Sequence, residues 1–322
     1  MFSELFKMDE LPPVRGRYSQ DVPIGTNGWF RAGGGADVLF KPADQEDLIE
    51  FLRACPGHIP VTTFGVLSNS IIRDGGVPGV VVRLGRGFAE IDQEGKDTLV
   101  AGAAALDFNV AISAARFQIA GLEFLSGIPG TIGGALRMNA GAYGTETKDV
   151  LQEACYVDRA GQLVHCTAEE LDMSYRHCGA PQDAIFLYAK LKGHAGNTEE
   201  IEGRIAEIKA KREETQPVKA RTGGSTFANP SAEELAAAGL PEDMKVWQLI
   251  DNVGGRGLIV GGAQMSEKHC NFMINTGEAT AQDLEDLGEE IRRRVLQEFG
   301  ITLRWEIRRI GRPHNNRNVL LQ

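Results

Sequence analysis

No apolar run in this 322-residue sequence approaches the ~20 residues a membrane-spanning helix needs, so no membrane insertion is expected. Paired cysteines are missing as well. Cys55, Cys155, Cys166, Cys178 and Cys270 are odd in number and nowhere spaced C-x-x-C, which argues against a disulfide framework or a zinc site and for a reducing, cytoplasmic setting. The six histidines form no H-x-x-x-H pair, so no metal is implied. Positive charge is in deficit. The 34 Lys and Arg against 44 Asp and Glu leave a net −10, unsuited to gripping nucleic acid or an acidic membrane. An anionic ligand would therefore need a locally positive pocket. No G-x-G-x-x-G opens a helix, which disfavours a Rossmann nucleotide site. The first residues, MFSELFKMDE, lack the basic start and apolar core of a signal peptide. There is no internal repeat.

What remains is ordinary globular composition, 42% hydrophobic and 24% charged, with length for two or three domains. One stretch stands out. Residues 121–144 read GLEFLSGIPGTIGGALRMNAGAYG, glycines interleaved with Leu122, Phe124, Leu125, Ile128, Ile132, Leu136 and Met138, so the segment can be buried. Buried glycine-rich backbone invites close approach, because glycine has no Cβ and reaches positive φ cheaply. Successive N–H groups in such turns make a concavity for an anion such as a phosphate. In residues 126–131, Pro129 stiffens the turn, and Gly133-Gly134 keeps the next element open. A tight connection with no ligand is the other reading.

Around this stretch, apolar periodicity predicts an α/β succession. Residues 1–26, with Pro12, Pro13 and Pro23, form a lead-in. Strands are expected at 38–40, 59–64 and 79–84, with a helix capped by Asp44 and striped by Leu48, Ile49, Phe51 and Leu52. A second unit has a strand at 98–103, a helix capped by Asp107, a hairpin over 154–166 and a strand at 185–191. A charged helix then runs to about 214, where Gln216-Pro217 ends it. A third unit opens at Arg221, has a Ser231/Glu234 capping box and a helix framed by Thr280, Asp283 and Gly300, and closes on an alternating strand over 301–310.

Three blocks in one order, the glycine-rich stretch, GGSTFANP at 223–230 and WEIRRIG at 305–311, resemble the UDP-N-acetylenolpyruvoylglucosamine reductase family over nearly the whole chain, from about 27 to 311. With no inserted tyrosine-bearing loop, the chain is similar to the shorter, second type. The resemblance implies an α+β fold: a two-part FAD-binding domain of the PCMH / vanillyl-alcohol-oxidase type plus a smaller α+β substrate-binding domain. The parts would be 27–84 joined by the returning strand 301–311, then 85–214, then 215–300, with 312–322 as a tail. It implies non-covalent FAD, NADPH as co-substrate, a UDP-sugar substrate, peptidoglycan precursor synthesis and a monomer. Flavin contacts would come from Gly65, Ser68, Asn69, Ser70 and Ile71, from Ser126, Gly127, Ile128, Pro129, Gly130, Thr131 and Gly133, and from Asn139, Gly141 and Ala142.

The same resemblance gives Ser225 as the acid that protonates substrate C2, Arg176 as the cation for the developing enolate and Glu306 as the third catalytic group. Arg221, Asn229, Gln264 and Lys268 would contact substrate. Each has a plainer reading. A serine after Gly-Gly commonly bonds its own backbone and Asn229 before Pro230 can make an Asx-turn. A lone arginine is usually a surface ion pair, and Glu306 lies opposite Leu303, Trp305 and Ile307, where a strand carboxylate would be solvated.

Three positions depart from the family pattern. Leu67 stands where its flavin loop usually has glycine, Ala228 where F-K-N-P has lysine, and Cys178 where serine follows Arg-His. If position 67 needs positive φ, leucine there costs on the order of 1–2 kcal/mol. Two other functions stay open on sequence: a flavin- or nucleotide-binding sensor or scaffold of the same fold without turnover, and an FAD-dependent oxidase of small alcohols or sugars.

Overall fold

The computed structural model describes residues 5–314; most of the expected tail, 315–322, lies outside them. The chain divides into two compact units. The first comprises Met1–Val22, Asp37–Val66 and Pro78–Arg212, and the second Pro23–Ala36, Leu67–Val77 and Glu213–Gln322.

In the first unit a four-stranded sheet runs in the order Arg17–Val22, Ala36–Lys41, Val77–Val82, Val61–Thr63, the last two parallel. The helix Gln45–Ala54 packs on it through Leu48, Phe51 and Leu52, and the Phe51 and Phe40 rings lie 4.5 Å apart. That helix starts where expected, with the Asp44 carboxylate accepting from the Asp47 amide at 3.0 Å. A second sheet is antiparallel throughout, in the order Leu163–Cys166, Leu151–Val157, Ile185–Lys192, Thr98–Gly102, Ile91–Glu94. Its core includes Val110, Ala111, Ala114 and Ala115 of the helix Asp107–Arg116, and Ile201 and Ile205 of the helix Thr198–Thr215. All five cysteines are buried and free.

Asp107 is not the cap the sequence suggested. Leu106 occupies that position and Asp107 is the first helical residue, fully buried, with neither carboxylate oxygen hydrogen-bonded. Burial pushes its carboxyl well above the ordinary range. The positive helix end favours a carboxylate there by only roughly 0.3–1 kcal/mol, less than the several kcal/mol an unpaired buried charge costs. Because the folded pKa exceeds the unfolded one, the associated stability is present in acid and is lost as pH rises above the unfolded value. Asp107→Asn, which cannot ionise, is therefore expected to raise the melting temperature at pH 7, with the gain shrinking toward pH 4. The scale is about 1.4 kcal/mol for each unit by which the folded value exceeds the unfolded one. Thermal melts across that range check it, and a gain independent of pH would contradict it.

In the second unit an antiparallel sheet runs Arg221–Thr222, Met273–Asn275, Ala263–Met265, Ile259–Val260. The helix Ala281–Phe299 covers it. Its capping box of Thr280 and Asp283 is formed, and Gly300 ends it at φ +71°. Leu284, Leu287, Ile291 and Val295 are fully buried, each worth roughly 1.5–3 kcal/mol of apolar transfer. The Ser231/Glu234 box is likewise formed, with bonds of 2.7 and 3.2 Å.

The expected continuous strand 301–310 is shorter than the alternation suggested. Only Arg308–Ile310 forms a ladder, parallel to Ser70–Ile72, and Trp305 makes an isolated bridge with Phe227. The interruption has a long-range cause: the Thr226 carbonyl accepts from both the Glu306 and Ile307 amides, at 2.9 and 3.3 Å, so the backbone bends there. Ile301, Leu303 and Ile307 are still buried as their alternation required.

Candidate active site

In the second unit, the segment carrying Ser225 is held from two sides. The Gly224 amide donates to the Ser68 carbonyl at 3.1 Å, and the Thr226 amide to the Asn271 carbonyl at 2.7 Å. Glycine is required at 223 and favoured at 224. A Cβ at 223 would lie 2.7 Å from the Phe30 ring, and one at 224 would lie 3.1 Å from the Asn69 side-chain oxygen. The Glu306 amide bonds the Thr226 carbonyl, and the Asn69 carboxamide donates to the Glu306 carbonyl at 3.0 Å. Ser225, Glu306, Ser68, Asn69, Ser70 and Ile71 are thus brought into one neighbourhood. Ser225, Glu306 and Asn69 are half-buried, while Ile71 is packed in the core.

The four expected substrate contacts are more dispersed. Arg221 is exposed and donates to the Gly277 carbonyl at 3.2 Å. The Asn229 side chain accepts from the Val246 amide at 3.1 Å, at the start of the helix Val246–Asn252. Gln264 is half-buried on the strand Ala263–Met265, and the Lys268 ammonium donates to the Glu213 carbonyl. Beside Ala228, the Arg304 guanidinium reaches the Asn229 carbonyl at 3.3 Å and Glu234 at 3.2 Å.

Two residues the sequence reading passed over help build this neighbourhood. Asn271 is 3% exposed, accepts from the Phe227 amide at 3.0 Å and donates to the Phe227 carbonyl at 2.9 Å. Phe30 roofs Gly223. An asparagine flanked by Cys270 and Phe272 was the one available signal, since a buried carboxamide must satisfy its hydrogen bonds.

Leu67 does adopt positive φ, +56°, as the glycine of related loops would allow. Its side chain lies against Gly28, where a Cβ would meet it at 3.3 Å. Leu67→Gly is expected to stabilise the protein by less than about 1 kcal/mol. Relief of about 1–2 kcal/mol of left-handed strain is partly cancelled by the greater freedom of glycine in the unfolded chain. A lowered urea midpoint would mean that the packing on Gly28 outweighs the strain.

In the first unit, residues 128–130 are half-exposed, whereas Ser126, Thr131 and Ile132 on either side are buried. The Ser126 hydroxyl is spent on the Glu123 carbonyl at 2.7 Å. Gly65 lies so close that a Cβ would come within 2.4 Å of the Thr131 hydroxyl, and a Cβ on Gly133 would be 3.2 Å from Ala103. Thr131 then caps the helix Ile132–Met138, which ends on Asn139 at φ +40°. Asn139 is fully buried, donating to Glu146 and the Ser174 carbonyl at 3.1 and 2.9 Å and accepting from the Lys148 amide at 2.9 Å. The side chain of Asn139 therefore shapes the loop. Arg176 is brought to the same place: its guanidinium donates to the Asn139 and Gly141 carbonyls at 3.5 and 3.3 Å and lies 4.9 Å above the Tyr175 ring. Ala142 pairs with Thr145 beyond it.

Comparison with known proteins decides the lineage. Residues 36–167 match the FAD binding domain model and 216–310 the model for the UDP-N-acetylenolpyruvoylglucosamine reductase C-terminal domain. The UDP-N-acetylenolpyruvoylglucosamine reductase of Parvibaculum lavamentivorans is 57% identical over 304 residues, covering 94% of each chain. This chain belongs to the UDP-N-acetylenolpyruvoylglucosamine reductase family. Its relative of the same name from Paramagnetospirillum magneticum is 58% identical over 303 residues, covering 94% of this chain and 95% of that one. The crystal structure of the Thermus caldophilus reductase superposes with a TM-score of 0.76 at 31% identity, covering 93% of this chain and all of that one. The fold is accordingly the α+β one expected of the family, an FAD-binding domain of the PCMH / vanillyl-alcohol-oxidase type with the family's smaller C-terminal domain.

The residues present fit an FAD. The stretch 127–130 is half-exposed between buried Ser126 and Thr131, with the Ile128 side chain packed on the core and the Ile128 and Gly130 amides bonded within the turn. Gly65 and Gly134 both face the Thr131 hydroxyl, which a Cβ on Gly134 would approach to 3.7 Å. A hydroxyl standing between two glycines lets a diphosphate approach closely without requiring a basic cluster, in keeping with the net charge of −10.

Proposed function

We propose that this protein reduces the enolpyruvyl group of UDP-N-acetylglucosamine enolpyruvate to give UDP-N-acetylmuramate, with FAD bound non-covalently and NADPH as the hydride donor. The observation that carries the reading is the joining of Ser225 and Glu306 through the bond from the Glu306 amide to the Thr226 carbonyl, in a chain of this family. Bound FAD supplies hydride transfer, from NADPH and then to substrate C3. The protein's own task is the other half: stabilising charge as it develops on the carboxylate side and delivering a proton to C2.

Ser225 holds that proton on its Oγ. Arg176 supplies a guanidinium fork for the enolate, a role suited to a side chain that stays charged. Glu306 sets the charge and hydrogen bonding around the proton's path. Gly65, residues 126–131, Gly133 and the loop 139–142 are assigned to the flavin, as are Ser68, Asn69, Ser70 and Ile71. Arg221, Asn229, Gln264 and Lys268 are assigned to the substrate. In this reading 27–84 with 301–311, and 85–214, form the flavin domain, and 215–300 the substrate domain. Five buried free thiols fit a reducing cytoplasm, and among the described residues no helix is long and apolar enough to cross a membrane. The protein works as a monomer, which sedimentation tests.

An anaerobic titration decides the function. NADPH should bleach the flavin band, and the enolpyruvyl sugar nucleotide should restore it. A band restored only by oxygen would move the assignment to an oxidase. Protein that stays colourless with added FAD would remove the flavin reading altogether.

A further inference from the structure

We infer that Asn69 is a positioning residue for the proton-delivering half of the reaction, a role beyond any contact its backbone makes with flavin. The inference rests on the function proposed above for Ser225 and Glu306. Four hydrogen bonds define a closed junction within the second unit. The Ser68 carbonyl accepts from the Gly224 amide at 3.1 Å, the Thr226 carbonyl from the Glu306 amide at 2.9 Å, and the Asn69 carbonyl from the Arg308 amide at 3.1 Å. The fourth is the only one made by a side chain: the Asn69 carboxamide donates to the Glu306 carbonyl at 3.0 Å. Ser225 lies between two anchored neighbours, Gly224 and Thr226. Glu306 is anchored through its own amide and its own carbonyl.

Asn69 touches both arms of this junction. Its side-chain nitrogen fixes Glu306, and its side-chain oxygen faces the Gly224 α-carbon closely enough that a Cβ there would lie 3.1 Å away. Residues 69 and 306 are separated by 237 positions, so no local turn can supply the same restraint. The neighbouring ladder leaves room for such a restraint, because regular pairing of the last strand begins only at Arg308 with Ser70. Upstream of that pair, the Glu306 segment bends away from regular pairing, and the carboxamide is what reaches it from the Asn69 side. A displacement of about 1 Å in a catalytic group can cost ~100-fold in rate, and this contact restrains such a shift.

The test uses purified holoenzyme with Asn69→Ala and Asn69→Asp. The second keeps shape and the side-chain oxygen but loses the donor. In stopped-flow, each variant's reoxidation rate is read as a ratio to its own rate of flavin bleaching by NADPH, so that any effect on the flavin site enters both. Reoxidation by the enolpyruvyl substrate is expected to slow by ~100-fold, as a fall in kcat with little change in KM. Amide hydrogen exchange on the same holoenzymes should accelerate in peptides covering 222–227 and 304–309 and not elsewhere in the second unit. Equal slowing of both half-reactions, loss of flavin alone, or unchanged exchange in those peptides would each overturn the positioning role. A wild-type enzyme whose flavin is not reoxidised by the substrate would instead overturn the function on which the inference rests.

Discussion

In Ser225→Ala, NADPH should bleach the flavin as fast as in the wild type, while reoxidation by the enolpyruvyl substrate should fall by ~10²–10⁴-fold, the usual contribution of a positioned acid. The selectivity follows from where the proton is needed. Hydride transfer from NADPH requires no proton at C2, whereas the second half-reaction cannot finish without one. The structure makes the variant easy to interpret. Ser225 is only half-buried, and its segment is held by main-chain bonds of Gly224 and Thr226, so losing one hydroxyl should leave the backbone in place. Glu306 and the Asn69 junction then remain to be tested separately. Equal loss in both half-reactions would point to a damaged flavin site, and undiminished reoxidation would remove Ser225 from the mechanism.

What could be read from the sequence was mostly what is local. The caps at Asp44, Ser231/Glu234, Thr280/Asp283 and Gly300 all form, because each bond closes within a few residues and competes with little else. Leu67 was legible for a similar reason, its φ of +56° being a property of one residue in one loop. Asp107 failed because capping and first-turn positions have the same residue preference; which one forms depends on the packing of the helix, here one residue off. The strand over 301–310 failed in part. Its alternation correctly gave the buried face, but a period-two pattern does not report whether the main chain finds a partner. The bend at residues 306–307 is set by Thr226, some 80 positions earlier. The neighbourhood of Ser225 was legible only as motifs, and its assembly through Asn69, Phe30 and Asn271 depends on contacts distant in sequence.

The segment bearing Glu306 depends on the helix Ala281–Phe299, and Glu285→Ala should show how strongly. Glu285 is 6% exposed and holds Arg73 in a two-pronged pair at 2.8 and 3.1 Å, with Arg309 at 3.8 Å. One helical turn on, Glu289 accepts from the Trp305 indole at 2.9 Å and from Arg309 at 3.0 Å, and pairs with Arg292 at 2.6 Å. Between the two carboxylates, Gly288 leaves the space the Trp305 ring occupies; a Cβ there would come within 2.1 Å of it. Positions 285, 288, 289 and 292 lie on one helix face by the i, i+3, i+4, i+7 rule. That face clasps Arg73, just past the strand Ser70–Ile72, and the segment 303–309. Exposed ion pairs contribute about 0–1 kcal/mol, whereas removing one partner of a buried pair costs about 3–5 kcal/mol. Arg73 keeps 30% of its side chain exposed and can recover some hydration, so Glu285→Ala is expected to cost about 2–3 kcal/mol, near the low end of the buried range. For a chain of this length that is a fall of roughly 3–4 °C in melting temperature. Glu285→Gln, which keeps the shape and one acceptor, should lose less. Both variants should also raise amide exchange over 303–309, since that segment is tied to the helix through the same charges. A melting temperature unchanged in Glu285→Ala would mean the clasp is held by Trp305 in the Gly288 notch alone, with the charges only covering it.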